Sequence, residues 1–124
     1  MRVSQSLENW AARGLVDARR SPRFKFQTKI RIYPRNRAVV RGDTVDISES
    51  GIGAMLMDEI PLNEIVRLEF SVPAGDIELM AIVRQNVAFR YGFEFIEDGL
   101  ARGLINHTCR DLAIEQSLQS SRSE

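Results

Sequence analysis

The sequence predicts an all-β-dominated domain: a small six-stranded antiparallel barrel with a short helix before it and a C-terminal α-helix after it. Three observations carry that prediction. Apolar residues recur at every second position through most of the chain between Lys25 and Phe95, the period of a strand with one buried face. Glycine and proline interrupt the pattern at short intervals, and the period changes to that of a helix near each end. Six short strands with polar outer faces are best protected as a closed barrel, because closure leaves no exposed strand edge.

The elements follow in order. Residues 4–13 read as a helix, with Ser4 as N-cap, Leu7, Trp10 and Ala11 on one face, and Gly14 able to end it. Trp10 on that face is expected to pack rather than to stack on a base. Past Pro22, Phe26, Thr28, Ile30 and Ile32 alternate with Lys25, Gln27, Lys29 and Arg31 in a first strand, which Pro34 ends. A second strand runs from about Val39 through Ser48, and "GIGAMLM" forms a third after a glycine corner. In that third strand Met55 and Met57 lie opposite Ile52, Ala54 and Leu56. Val66, Leu68, Phe70 and Val72 face inward from a fourth, and "VPAGDIEL" is a turn. Ile77, Leu79, Ala81 and Val83 continue in a fifth strand. Val87, Phe89, Tyr91, Phe93 and Phe95 alternate through a sixth, as a barrel core requires. From Gly99 the helical period returns through Leu100, Leu104, His107 or Thr108, and Leu112, and "SLQSSRSE" is expected to fray. The resulting division is a helical extension over 1–16, a barrel with an arginine segment over 17–97, and a helix with its tail over 98–124.

At 124 residues and 44% hydrophobic, the chain fits one domain with a modest core. No run of about 18 apolar residues is present for membrane insertion, and the start "MRVSQSLENW" lacks a secretory pattern, so the expected location is cytoplasmic. The lone Cys109 forms no internal disulfide, and with the lone His107 it makes too few ligands for a zinc shell. No metal or other cofactor is expected. On a helix these two residues, two apart, point in different directions and make no nucleophile and base pair. With no Walker-type loop either, no enzymatic set is legible.

The formal net charge of +0 conceals a split. Residues 1–41 hold 11 Lys and Arg against 2 acids, a balance of +9 that the rest of the chain offsets. A basic segment of this kind suits nucleic acid, a small anionic ligand or the protein's own acidic body, and charge alone does not choose among them.

Two motifs narrow the choice. "DARRSPRF" carries Arg19, Arg20 and Arg23. Ser21 before Pro22 is biased away from helix, so the arginines sit on a loop that leads into the first strand, where binding residues concentrate. RxxxR spacing recurs at Arg31/Arg35 and Arg37/Arg41, so setting rather than spacing singles out the first pair. The second motif, "DISESG", places Asp46 and Ser48 two residues apart and outward, with Gly51 at the corner. Read blandly, this is an ordinary hydrogen-bonded turn. Taken together, guanidinium groups that grip phosphate and lie flat on purines, with a carboxylate able to accept from guanine N–H groups, fit a guanine nucleotide.

Arg19 and Arg23 in RxxxR, Asp46, Ser48 and Gly51 in DxSxxG, and the later "YGFEF" resemble the PilZ domain of bacterial cyclic di-GMP receptors over residues 17–97. The resemblance implies a six-stranded barrel with a C-terminal helix and an arginine loop that wraps the dinucleotide against the outer wall. It implies that Arg19 and Arg23 engage phosphates and stack on guanine. Asp46 would read a guanine edge, Ser48 would bond ligand or loop, and Gly51 would allow close approach, with Arg20 as an auxiliary contact. Ala18 stands where a further arginine accompanies paired ligands in the family, so one ligand per chain is expected. The implied function is a non-enzymatic receptor that changes conformation on binding cyclic di-GMP and signals to a partner protein. The alternative is a PilZ-like protein-interaction module that binds no nucleotide. Nucleic acid is not an expected partner.

Overall fold

A computed structural model describes residues 21–96 and 99–123 of the chain. The expected helix over 4–13, the extension over 1–16, and Arg19 and Arg20 lie outside these residues. Seven strands and a helix follow in order: β1 (Phe24–Lys25), β2 (Lys29–Tyr33), β3 (Val40–Ile47), β4 (Gly51–Leu56), β5 (Ile65–Val72), β6 (Gly75–Val87), β7 (Arg90–Phe95) and α1 (Leu100–Ser123). All pairings are antiparallel, in the order β3-β2-β5-β6-β7-β4, and β4 pairs back onto β3 to close a six-stranded barrel.

The seventh strand comes from a break in the expected first one. β1 and β2 pair with successive parts of β3, Lys25 opposite Asp46 and Lys29 opposite Asp43. The break is spliced by Thr44. Its hydroxyl accepts from the Thr28 N–H at 2.9 Å and donates to the Phe26 carbonyl at 2.7 Å. A bulge in β3 between Thr44 and Asp46 makes this possible by adding one residue to that strand. Thr44 and Ile47 are buried as a result, and Val45 is only half-buried instead of fully inward.

Inside the barrel the period-two pattern holds. Ile30, Ile32, Ile52, Ala54, Leu56, Val66, Leu68, Ile77, Leu79, Ala81, Val83, Tyr91 and Phe93 are all buried. Each large aliphatic side chain contributes about 1.5–3 kcal/mol of transfer free energy. The Tyr91 hydroxyl donates to the Asp58 carbonyl and accepts from the Ile60 N–H, both at 3.1 Å. That contact pins Ile60 into the core and folds the 57–64 connection inward.

Two expectations are corrected at the chain's later elements. Val87 and Phe89 are not core residues: β6 runs on to Val87, and β7 begins at Arg90. Between them Ala88 and Phe89 form the tight turn, with φ of 49° and 69°, and Phe89 is 54% exposed. Hairpin turns of this kind ordinarily announce themselves with Asn or Gly, and Ala-Phe carries no such signal. In α1 the buried face is Ile105, Thr108 and Cys109 flanked by Ala101, Leu104 and Leu112, whereas Leu100 and His107 are exposed. This stripe also runs at i, i+3, i+4 spacing, with Ile105 and Cys109 in place of Leu100 and His107. The helix packs on β1, β5 and β6 and continues to Ser123. None of the described helices is long and apolar enough to cross a membrane.

Candidate functional site

The Asp46 carboxylate is the centre of the outer wall formed by β3, β4 and β7. The bulge turns Asp46 outward at the end of β3, and pairing of β1 with that end brings Arg23 alongside. Arg23 Nη2 donates to Asp46 Oδ1 at 2.9 Å, and Arg90 Nη2 donates to Asp46 Oδ2 at 2.9 Å. Each carboxylate oxygen thus has its own guanidinium. The carboxylate side chain is 20% exposed, against 45% for Arg23 and 43% for Arg90. In this setting an ion pair is worth about 0–1 kcal/mol, so Arg23, which precedes the two-residue β1, can change partners at little cost.

Ser48 sits differently from the outward orientation expected of it. It is fully buried, and its Oγ accepts from the N–H groups of Ser50 at 3.2 Å and Gly51 at 3.1 Å. Its own N–H donates to the Gly51 carbonyl at 2.8 Å, so Ser48 builds the corner between β3 and β4. At Gly51 the absent Cβ admits the neighbouring strand: a Cβ there would lie 2.3 Å from the Phe93 carbonyl oxygen. The geometry of "DISESG" is therefore one outward, partly exposed carboxylate, Asp46, followed by a tightly folded corner. Arg102 of α1 ties the corner down by donating to the Glu49 carbonyl at 2.6 Å.

Beside Asp46 the wall has a bare floor. Gly53 on β4 and Gly92 on β7 are directly paired. A Cβ on Gly53 would come within 2.5 Å of Asp46 Oδ1, so the glycine lets the carboxylate lie down over the sheet. Gln85 on β6 stands opposite Gly92 and bounds the floor on its far side. On the near side, Gln116 of α1 clamps the Lys25 backbone, accepting from its N–H at 3.3 Å and donating to its carbonyl at 2.8 Å. Arg90, Gly53, Gly92 and Gln85 are not legible as site residues in the sequence. The available signal is that Arg90 and Gly92 occupy the outward phase of the strand whose inward phase is Tyr91, Phe93 and Phe95.

The described residues bring together Arg23, Asp46, Ser48 and Gly51 in one region of the wall. They do not assemble His107 and Cys109. His107 is exposed and faces Asp111 at 3.3 Å, while burial pushes the inward Cys109 thiol up to about 11, with Glu49 adding to the effect. Among the described residues no group of three or more His, Cys, Asp or Glu is placed to hold a metal ion.

Comparison with known proteins bears on what such a wall does. A family model described as the PilZ domain matches residues 17–108. No curated protein sequence matches the chain. Among solved structures, a PilZ domain of YcgR from Escherichia coli, with c-di-GMP, is similar at a TM-score of 0.65 and 14% identity, covering 82% of this chain and 96% of that one. The PilZ domain of CeSA from a cellulose-synthesizing bacterium gives 0.59 and 16%, covering 77% and 99%. The Bacillus subtilis inhibitor of motility, MotI/DgrA, gives 0.62 and 21%, covering 73% of this chain and 49% of that one. At these identities the structural likeness speaks for the fold.

Proposed function

The chain belongs to the PilZ domain family, and from that premise we propose that its Asp46 wall is a receptor site for cyclic di-GMP. One observation carries the reading: Arg23 and Asp46, separated by 23 residues, meet at 2.9 Å on an exposed wall. The similar YcgR domain, solved with c-di-GMP, supports the choice of ligand.

The chemistry follows from the groups present. Phosphates, with their charge and several acceptor oxygens, compete for the Arg23 guanidinium, whose exposed pair with Asp46 Oδ1 is worth only about 0–1 kcal/mol. The vacated oxygen then accepts guanine N–H groups. Arg19 engages the phosphates with Arg23, Arg20 adds an auxiliary contact, and Ser48 and Gly51 hold the corner against which the ligand lies. Micromolar affinity needs about 8 kcal/mol net, within reach of several such bonds with stacking added. One dinucleotide binds per chain. The change of partner at Asp46 reorders the segment before β1, and that altered surface signals to a protein partner in the cytoplasm. The function is reception rather than catalysis.

Isothermal titration of the full chain with cyclic di-GMP, with GTP, and with an Arg23→Ala variant tests this. Saturable binding of cyclic di-GMP near one per chain, selective over GTP and lost in the variant, is the expected result. No saturable binding by the unaltered chain overturns the proposal and leaves a barrel that acts as an interaction module.

A further inference from the structure

Arg90 lies outside both motifs, yet it holds the second oxygen of the motif carboxylate. Its backbone is fixed within the ladder, opposite Met55 on β4 and Val87 on β6. Arg23, by contrast, precedes the two-residue β1. When a ligand draws Arg23 away, Arg90 therefore remains beside Asp46. A Cβ on Gly53 would fall 2.5 Å from Asp46 Oδ1 and 3.4 Å from Arg90 Nη2. The absence of that Cβ lets carboxylate and guanidinium lie side by side, low over the Gly53 and Gly92 floor.

We infer that Arg90 is the residue that makes this wall select guanine over adenine, an assignment that rests on the cyclic di-GMP reading. A planar base laid on the glycine floor presents its edge to an acceptor, Asp46, next to a donor fork, Arg90. Guanine has the matching run: the adjacent donors N2–H and N1–H, then the adjacent acceptors O6 and N7. The carboxylate takes the donors, and the guanidinium, whose Nη2 still donates to Asp46, offers its remaining N–H groups to the acceptors. Adenine has a single amino donor between the acceptors N1 and N7. On adenine the carboxylate gains a bond from one amino group only, and the fork finds no adjacent acceptor pair. Loss of hydrogen bonds that a site is built to make is where strong discrimination arises.

The experiment titrates cyclic di-GMP and cyclic di-AMP separately into the full chain and into its Arg90→Ala and Arg90→Lys variants, with a thermal melt of each. Selectivity for cyclic di-GMP in the unaltered chain should fall by about 10–100-fold in Arg90→Ala, the range that one bidentate base contact confers. The fall should come from weaker cyclic di-GMP binding, with cyclic di-AMP nearly unaffected. Arg90→Lys keeps a charge beside Asp46 but lacks the planar fork, so it should lose selectivity while keeping the unaltered melting temperature. Selectivity that stays at its original value in both variants overturns the assignment. Equal weakening of both dinucleotides overturns it as well, because that pattern belongs to a purely structural arginine. Failure of the unaltered chain to bind cyclic di-GMP is a separate result, and it removes the receptor reading on which the assignment stands.

Discussion

The wall that carries Asp46 and the wall that carries Glu69 are both clusters of arginine and carboxylate on the outside of one barrel, and they are built to opposite ends. Glu69 sits mid-strand on β5, directly opposite Arg31 on β2 and Glu78 on β6. It accepts from Arg31 Nη2 at 3.0 Å, from the Tyr33 hydroxyl at 2.9 Å and from Arg67 Nη1 at 2.5 Å. Arg67 also reaches Glu78 at 2.7 Å and lies 4.0 Å over the Tyr33 ring. A cleft of about 450 Å³ opens beside this cluster, lined by Lys29, Arg31, Glu69, Ser71, Asp76 and Glu78. Its charges are already spoken for, Ser71 by Asp76 and Arg31 by Glu69. At Asp46 the floor is glycine, no ring among the described residues covers Arg23 or Arg90, and one partner comes from just outside the ladder. Each place sets two arginines against carboxylate. On the proposed receptor reading, what suits the Asp46 wall to a ligand is a partner that can leave and a glycine floor with room for a flat ring.

The largest effect that separates the two walls is on binding. Asp46→Ala is expected to weaken cyclic di-GMP by about 100-fold or more, through loss of several charge-assisted hydrogen bonds, while Arg67→Ala changes it less than about twofold. A matching loss in Arg67→Ala, read by titration, breaks the contrast. Next is the corner that supports Asp46. Gly51→Ala forces a Cβ against the Phe93 carbonyl and should cost about 1–3 kcal/mol in a urea melt. Gly92→Ala meets Gln85, most closely its side chain at 3.1 Å, and should cost less while still weakening the ligand. At the edge of the same wall, Phe89→Gly removes a bulky residue from positive φ. It should stabilise the fold by about 0.5–1 kcal/mol after the added chain entropy is counted.

The smallest effect belongs to the saturated wall. The Tyr33 hydroxyl, together with Arg31 and Arg67, holds the Glu69 carboxyl below its ordinary value of 4.5. A carboxylate depressed in the folded state adds stability that is present above its unfolded value and is lost as pH falls through the lower folded value. The melting temperature of the unaltered chain should therefore exceed that of Glu69→Gln at neutral pH, and the gap should narrow on acidification below 4.5. A gap that does not change with pH would show that Glu69 acts there by shape rather than charge.

Much of this molecule is legible along the chain, because a strand with one buried face writes its period into adjacent residues. Ile30 and Ile32, Val66 to Val72 and Ile77 to Val83 alternate in the sequence and are buried in that alternation. Asp46 and Arg23 stand out along the chain as motif residues, though not as neighbours. The turn at Ala88 and Phe89 was not legible, because its residues lack the usual preference for positive φ. The bulge at Val45 escaped for a related reason: an extra residue leaves no mark in composition, yet it sets which way Asp46 and Thr44 face. Partnership was beyond the sequence altogether. Arg90 reaches Asp46 across 44 residues only because β4 pairs with both β3 and β7 when the barrel closes. Local period thus shows which side chains face out wherever no bulge or turn interrupts the strand. Closure of the sheet decides which of those meet, since a pair's energy depends on distances that exist only once the strands are in register.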